Sequence, residues 1–496
     1  FSAFDSDTAR RIADYTIRSV IINRASPSPL YSLHVGAFYS LPHQIKKGVY
    51  DGTKPVMDLG AAWKVVFDEK GEETFIPRPA AVAFATAARE LAFVSDPQEV
   101  LIGNEVYSYL FTRENGEQVI AVWCTEKPVG LRIVLPCRAV LTDMMGNRRN
   151  LEQGKANLKL TGSPQFLSLN CRRSDAAGML ARAEIPELEL IRGYGRRISP
   201  DTAQIQILSL APEVLRGRLK TADGKAVEVT LAPRKVTEVN MPVGTEERDS
   251  SAELTVSGGG KFRIPLDLSF LAAAKLNGTP VFDGSGGWFS TLKPVCLKSP
   301  DDIYPKSALV PELNLLQFDG RDISAALYFA WTPQYLCIAA KVNDRKHIQR
   351  RRAAEIWMED AFQFVISPRH NARPKSLRSS SEKAAFSASE YNFGLALTDR
   401  GPELYRWSGG GKPAASCSWP VNVTRKGTVT LYEAAIPWKE VGIVPGEGLG
   451  IRFGAILMDN NRPEDRQAKY WLALNEGVAG TQDASQLKTL ILKEAK

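Results

Sequence analysis

The stretch that most constrains the fold runs from Phe318 to Pro368. Apolar and polar residues alternate along it, turns fall at Asp319-Gly320 and Thr332-Pro333, and the alternation resumes from Tyr335 to Val342. Trp357, an acidic pair and another apolar run follow. A period of two broken by turn residues marks half-buried β-strands, because successive side chains point to opposite faces. Such strands need a second layer over their apolar face. Similar runs recur from Val100 onward, so the chain reads as mainly β and multidomain.

At 496 residues the chain exceeds one ordinary domain, and a norm of about 150 residues per domain suggests about three. Hydrophobic residues at 44% and charged residues at 24% are ordinary for a globular protein. No apolar run approaches the roughly 20 residues of a membrane helix, so no membrane span is expected. The net charge of +8 and pI near 9.0 would favour nucleic acid only if Lys and Arg were clustered to release counterions from phosphates. The one dense patch is Arg345 to Arg352, with Arg369, Arg373, Lys375 and Arg378 further on, and it flanks expected strands. We read it as a solvated loop face or, more sharply, as arginine forks for the sulfates and carboxylates of an acidic glycan; no nucleic-acid partner is expected. Six cysteines (Cys124, Cys137, Cys171, Cys296, Cys337, Cys417) are too scattered for a disulfide scaffold or a zinc site. The four histidines, His34, His43, His347 and His370, lack metal-ligand spacing.

Along the chain, Asp7 to Asn23 has helical spacing behind the capping residues Asp5, Ser6 and Asp7. A strand is expected at Leu30 to Leu41, then helices at Val56 to Val66 and Arg78 to Phe93. Strands follow at Val106 to Thr112 and Gln118 to Trp123, joined by an Asn115-Gly116 turn, and at Leu131 to Leu135, Ala139 to Thr142 and Gln165 to Leu169. Beyond Cys171 come Ala203 to Ser209, Val214 to Lys220, Val227 to Leu231, Lys235 to Met241 and Ala252 to Pro265, at the spacing of an all-β sandwich. The expected units are residues 1–95, 96–170, 171–275 and 276–496.

From Asn277 to Leu492 the sequence resembles a family 9 carbohydrate-binding module, a sandwich related to DOMON domains. The match rests on the Phe318 to Pro368 stretch and on Tyr432-Glu-Ala-Ala-Ile-Pro-Trp438. The first 95 residues resemble the closing segment of a clan A glycoside hydrolase (β/α)8 barrel, through the two outer helices, the strand between them and Lys54-Pro55. Asp143-x-x-Gly146-Asn147 and Ser163-Pro164-x-Phe166-Leu167 resemble the end of the sandwich that packs on such barrels. These resemblances imply a barrel remnant, its sandwich, an immunoglobulin-like spacer and a family 9-like module. They imply carbohydrate binding in polysaccharide breakdown, outside the cell, in the periplasm or at the cell surface, with a polysaccharide or oligosaccharide partner that includes acidic glycans as an option.

Glycoside hydrolysis needs two carboxylates. In clan A they end the fourth and seventh barrel strands, which would precede Phe1, so no catalytic residue is assigned and the chain alone is expected to be inactive. Tyr31, His34, Phe38 and Tyr39 fit either a sugar subsite remnant or barrel core. In the module, an indole can cover the apolar face of a pyranose while polar side chains meet its hydroxyls. The resemblance implies a two-tryptophan clamp, carried over to Trp357 and Trp471. Glu359, Asp360 and Gln363 would partner the first, and Arg452, Asn460 and Asn475 the second. Each tryptophan fits core packing equally well; Trp331, Trp419 and Trp438 are read as core or turn residues. No cofactor is required. The resemblance admits a structural calcium, for which Asp319, Asp322 and Asp344 offer oxygens. The alternatives are a surface or adhesion protein without catalysis and a DOMON-type haem module, for which Met358, Met458, His347 and His370 form no recognisable axial pair.

Overall fold

The structure, a computed structural model, describes residues 6–26, 63–67, 73–103, 105–245, 250–304, 323–379, 382, 385–460, 470–479 and 482–494. Tyr31, His34, Phe38, Tyr39, Asp319 and Asp322 lie outside the described residues, as does the strand expected at Leu30 to Leu41.

The first unit comprises α1 (Ser6–Ala25), β1 (Trp63–Phe67), β2 (Glu73–Pro77) and α2 (Pro79–Glu90). The helix expected at Val56 to Val66 is corrected at its end: Trp63–Phe67 is a strand, antiparallel to Glu73–Pro77 with Val65 opposite Phe75. Trp-Lys-Val-Val-Phe is β-branched and aromatic, and a matching Thr-Phe-Ile run gives it a cross-strand partner. Buried Ala83 and Ala87 on α2 lie with Ala13, Ile17 and Ile21 of α1, their small side chains letting the helices approach closely. Both helices cover the outer face of a six-stranded sheet through Phe111, Val119, Trp123 and Phe166.

That sheet belongs to the second unit and runs β3 (Val94–Glu99), β4 (Val106–Arg113), β5 (Gln118–Cys124), β10 (Gln165–Leu169), β7 (Ala139–Thr142), β8 (Arg148–Leu151). The pair β6 (Val129–Leu135) and β9 (Gly154–Leu160) covers its inner face, enclosing Leu110, Ile120, Val122, Leu131 and Leu167. Helix α3 (Arg173–Ala181) closes the core with Ala176, Met179 and Leu180.

The third unit is one seven-stranded sheet curled around a core of Ile205, Ile207, Leu219, Leu254 and Ile264. Its order is β14 (Ala226–Leu231), β13 (Leu215–Thr221), β16 (Ser250–Val256), β17 (Lys261–Asp267), β11 (Ile191–Ser199), β12 (Thr202–Ser209), β15 (Val236–Pro242). The strand expected over Ala252 to Pro265 is two strands, reversed at Gly258 and Gly259, which both carry positive φ.

The fourth unit is a sandwich whose hydrogen bonding is continuous through β18 (Leu271–Lys275), which is parallel to both its neighbours. One layer holds β22 (Ala361–Ser367), β23 (Tyr391–Thr398), β24 (Gly401–Ser408), β25 (Ala415–Cys417), β28 (Gly450–Asp459), β29 (Tyr470–Ala473) and β30 (Lys488–Lys493). The other holds β19 (Val295–Leu297), β20 (Ile323–Trp331), β21 (Tyr335–Asp344), β26 (Val421–Lys426) and β27 (Val429–Pro437). Aromatic contacts span the layers: Phe329 meets Phe453 edge-on at 5.0 Å and Phe362 meets Tyr432 at 6.1 Å between ring centres. Trp331 and Trp438 are buried and donate to Lys493 O and Thr332 O, while Trp419 packs edge-on against Phe393.

The last two units are joined side to side. Arg196 Nη1 donates to Ser485 O at 3.0 Å, Thr489 Oγ1 to Arg197 O at 2.7 Å and Gln206 Nε2 to Asn371 O at 2.9 Å. Leu377 of the module packs on Leu208 and Leu210 of the third unit, beside Leu101 and Leu188. Among the described residues no helix is long and apolar enough to cross a membrane.

Candidate functional site

On β22, Phe362, Phe364 and Ile366 face the sandwich core, so Ala361, Gln363 and Val365 face outward. On β28, Phe453, Ala455 and Leu457 face inward, leaving Ile456 and Met458 outside. Outward residues of a two-layer sandwich are normally polar. Here they form a second apolar cluster with Tyr304, Ile356, Trp471 and Val478. A cavity of about 360 Å³ opens in this cluster, within the roughly 300–1,000 Å³ range of small-molecule sites. Gln363, Asn392, Ile456 and Met458 supply its sheet side; Trp357, Trp407 and Trp471 line it, with Ala354, Val478, Ala479 and Gln482 completing it. None of the lining side chains among the described residues is charged.

Three different devices place the indoles. Trp357 sits in a 3₁₀ turn, Ala353–Met358, and is half-buried. The preceding basic run holds that turn: Arg350 pairs with Glu359, Arg352 Nε with Asp399 Oδ1 at 2.6 Å, and Arg351 with Glu355 at 3.4 Å. Gln349 Nε2 reaches Ile356 O at 3.0 Å and Asp360 O at 2.9 Å. Arg369, Arg373 and Arg378 are likewise paired, with Glu390, Glu382 and Asp483. The arginines brace loops on carboxylates of this chain, so the expected forks for an acidic glycan are already engaged.

Trp407 was not singled out from the sequence. Asn392 pairs with Ser408 and Phe393 with Arg406, so Trp407 is the extra residue of a β-bulge, a distortion that re-aims side chains. Its ring lies against Gly394, where a Cβ would come within 2.2 Å of the indole. Its Nε1 donates to Ala354 O at 2.9 Å. Trp471, opposite Met458 on β29, stacks on Tyr304 at 6.1 Å and is only 6% exposed. Its indole N–H is buried without a hydrogen-bond partner among the described residues. Gln363 Nε2 donates to Asn392 Oδ1 at 3.0 Å, which orients both amides.

The structure therefore brings Trp357, Trp471 and Gln363 to one cavity and places the other sequence candidates elsewhere. Glu359 is fully buried under Arg350. Arg452 is buried and donates to Thr489 Oγ1 at 2.8 Å, beside the third unit. Asn460 is buried, and its backbone N–H donates to Asp360. Asn475 Nδ2 donates to Phe453 O at 3.1 Å. Asp360 faces an acidic cluster at the ends of β21, β22 and β28.

In that cluster Asp344, His347 and Asp360 bring potential ligand atoms within 4.8 Å of one another. These three side chains alone fall short of calcium, which takes six to eight oxygens; Asp319 and Asp322 of the expected set lie outside the described residues. Asp344 already accepts from Lys346 N at 2.8 Å and from Arg425 Nη1 at 3.3 Å, and Asp360 accepts from the backbone N–H groups of Ile348 and Asn460. A ring nitrogen stands where calcium would want oxygen, and the guanidinium would repel a cation. Burial pushes the Asp360 carboxyl up to about 8 and raises that of Asp344, while burial lowers His347. Both members of the His347–Asp360 contact, 3.4 Å apart, are thus neutral at pH 7, an acid O–H facing an imidazole nitrogen. His370, its Nε2 2.9 Å from Gly450 O, is pushed down to about 4 by burial and by Arg452. Neither histidine lines the cavity with Met458, and Met358 does not line it either, so the haem alternative gains no axial pair there.

No protein-family model matches this sequence, and no curated protein matches it. Among solved structures, the chain is similar to a family 9 carbohydrate-binding module from Caldicellulosiruptor kristjanssonii in complex with glucose, at 10% identity over 45% of this chain and 97% of that one, with a TM-score of 0.32. A putative carbohydrate-binding protein from Bacteroides uniformis is similar at 12% identity over 45% of this chain and 98% of that one, TM-score 0.31. Bacteroides uniformis β-glucuronidase 3 is similar at 10% identity over 31% and 28%, TM-score 0.15. Identities and scores this low carry no weight on function.

Proposed function

We propose that the C-terminal unit binds a neutral saccharide in the three-tryptophan cavity, and that this binding serves polysaccharide breakdown outside the cell. The observation that carries the reading is the cavity's chemistry: three indoles and two coupled amides line it, and among the described residues no lining side chain is charged. Pyranose C–H faces suit the indoles, and hydroxyls, being donors and acceptors at once, suit the amides. A charged sugar would lose hydration there without gaining a counter-ion.

A glycan-array screen of the full chain, followed by calorimetry on the best ligand, tests this. If each half-buried indole covers ~80 Å² of sugar at ~25 cal/mol per Å², Trp357→Ala and Trp407→Ala each cost about 2 kcal/mol, or roughly thirtyfold in Kd. Unchanged affinity in both variants, or preference for acidic glycans, would contradict the proposal. The link to a clan A glycoside hydrolase rests on the resemblance of residues 1–170. Further coding sequence with barrel strands ending in two glutamates would support it, and repeated sandwiches would count against it.

A further inference from the structure

Cys137 and Cys171 lie two residues beyond the paired ends of β7 and β10 in the second unit. In the ladder between β7 and β10, Ala139 pairs with Leu169. Continuing the antiparallel register two residues outward puts Cys137 opposite Cys171, and the Cys137 sulfur lies close enough to disfavour ionisation of the Cys171 thiol. Facing residues of antiparallel strands have Cα atoms about 4.5–5.5 Å apart, inside the roughly 4.4–6.8 Å that a disulfide spans. Both side chains are half-buried at the edge of the core. The other cysteines lie in separate places. Cys124 and Cys337 are buried, with Cys337 pushed up to about 12 by burial, and Cys296 and Cys417 sit on distant short strands.

We propose that Cys137 and Cys171 form a disulfide that fastens the chain leaving β10 to the strand beside it. The bond forms by exchange with a small disulfide. The protein gains one Sγ–Sγ bond, the reagent's S–S bond breaks, and the two thiol protons leave on the two reagent thiols, which carry away the electrons. Burial and the adjacent Cys137 sulfur push the Cys171 thiol up to about 11, so the exchange, which needs a thiolate nucleophile, is slow from Cys171 at neutral pH and quickens as pH rises. The cross-link encloses about 35 residues, a loop length at which closure stabilises appreciably. It joins the sheet just before α3, where the second unit hands over to the third. A disulfide here also suits the oxidising surroundings of the extracellular reading.

The test uses the full chain, purified reduced, then incubated with oxidised glutathione and digested under non-reducing conditions. The expected product is a peptide pair linked through Cys137 and Cys171, with two of the six thiols lost to titration and a midpoint of thermal unfolding raised by about 5 °C. Cys137→Ser and Cys171→Ser should each abolish the linked pair, and Cys296→Ser should leave it. Stable glutathione adducts on either cysteine without the linked pair, or a linked pair that destabilises the protein, would overturn the proposal.

Discussion

Two buried groups in the C-terminal unit titrate in opposite senses, and their sum makes a distinctive pH profile. Asp360 has a folded-state value of about 8 against 3.8 for the free carboxyl. The folded state therefore holds a proton that the unfolded state releases, and stability falls as pH rises from about 4 to about 8, by about 1.4 kcal/mol per pH unit. His370 is at about 4 against 6.5. Its unfolded form binds the extra proton, so it adds stability over pH 4 to 6.5 at a similar slope. The two cancel up to pH 6.5. Between there and pH 8 His370 adds nothing further, and Asp360 should take about 2 kcal/mol from the unit. Asp344 works in the sense of Asp360 and His347 in the sense of His370. The assay is hydrogen exchange at the core amides of Gly450–Asp459, corrected for intrinsic rate, which reads the opening free energy of this unit apart from the rest. Asp360→Asn should abolish the drop above pH 6.5, whatever its effect on absolute stability. His370→Gln should let stability decline from pH 4 onward. A wild-type profile that keeps rising through pH 8, or an Asp360→Asn variant with the same drop, would refute the assignment of a neutral Asp360.

Other sites give further tests. Gly394→Ala would drive a methyl into the Trp407 ring; we expect saccharide affinity to fall at least about tenfold while unfolding free energy changes by about 1–3 kcal/mol, read by calorimetry and denaturation. Arg350→Ala removes the guanidinium from the buried Glu359 carboxylate, which keeps the backbone N–H of residue 350, and should cost about 1–3 kcal/mol; adding Glu359→Ala should recover part of the loss in a double-mutant cycle. Gly450→Ala would place a Cβ 2.2 Å from Ile198 O, so limited proteolysis should gain a cut near Leu268–Phe270, between the third and fourth units.

Most of the strand architecture was legible because the alternation is strong: Ala139–Thr142 and Gln165–Leu169 appear with the expected bounds. Strand Ile191–Ser199 was hidden by its own composition. Its glycines at 193 and 195 erase the alternation, yet they are what the packing requires, since Cβ atoms there would press into Ile264 and Leu266. At the site, Trp357, Trp471 and Gln363 were readable as an aromatic and polar set. Trp407 was not, because a bulge depends on register with a partner strand, and register is a property of two segments at once. The bulky aromatic after Leu404-Tyr405-Arg406, on a strand facing a glycine-bearing one, was the available clue. Glu359 and Asp360 misled because an acidic pair beside a tryptophan looks the same whether it faces sugar or braces a loop. Asn460 and Arg452 misled similarly: polar residues at a strand end read as exposed until a neighbouring layer covers them.

The side-to-side joint between the third and fourth units changes what the proposed saccharide site would contribute. A module on a flexible linker raises local concentration over every point its tether can sweep. This one is bolted by Arg196, Thr489 and Gln206 to the unit before it, so its cavity keeps one bearing relative to β11 and β12. A saccharide chain held in the proposed site would be presented along one line rather than throughout a volume, so the bracket's angle, more than the affinity, would select which stretch of a polymer the rest of the protein meets.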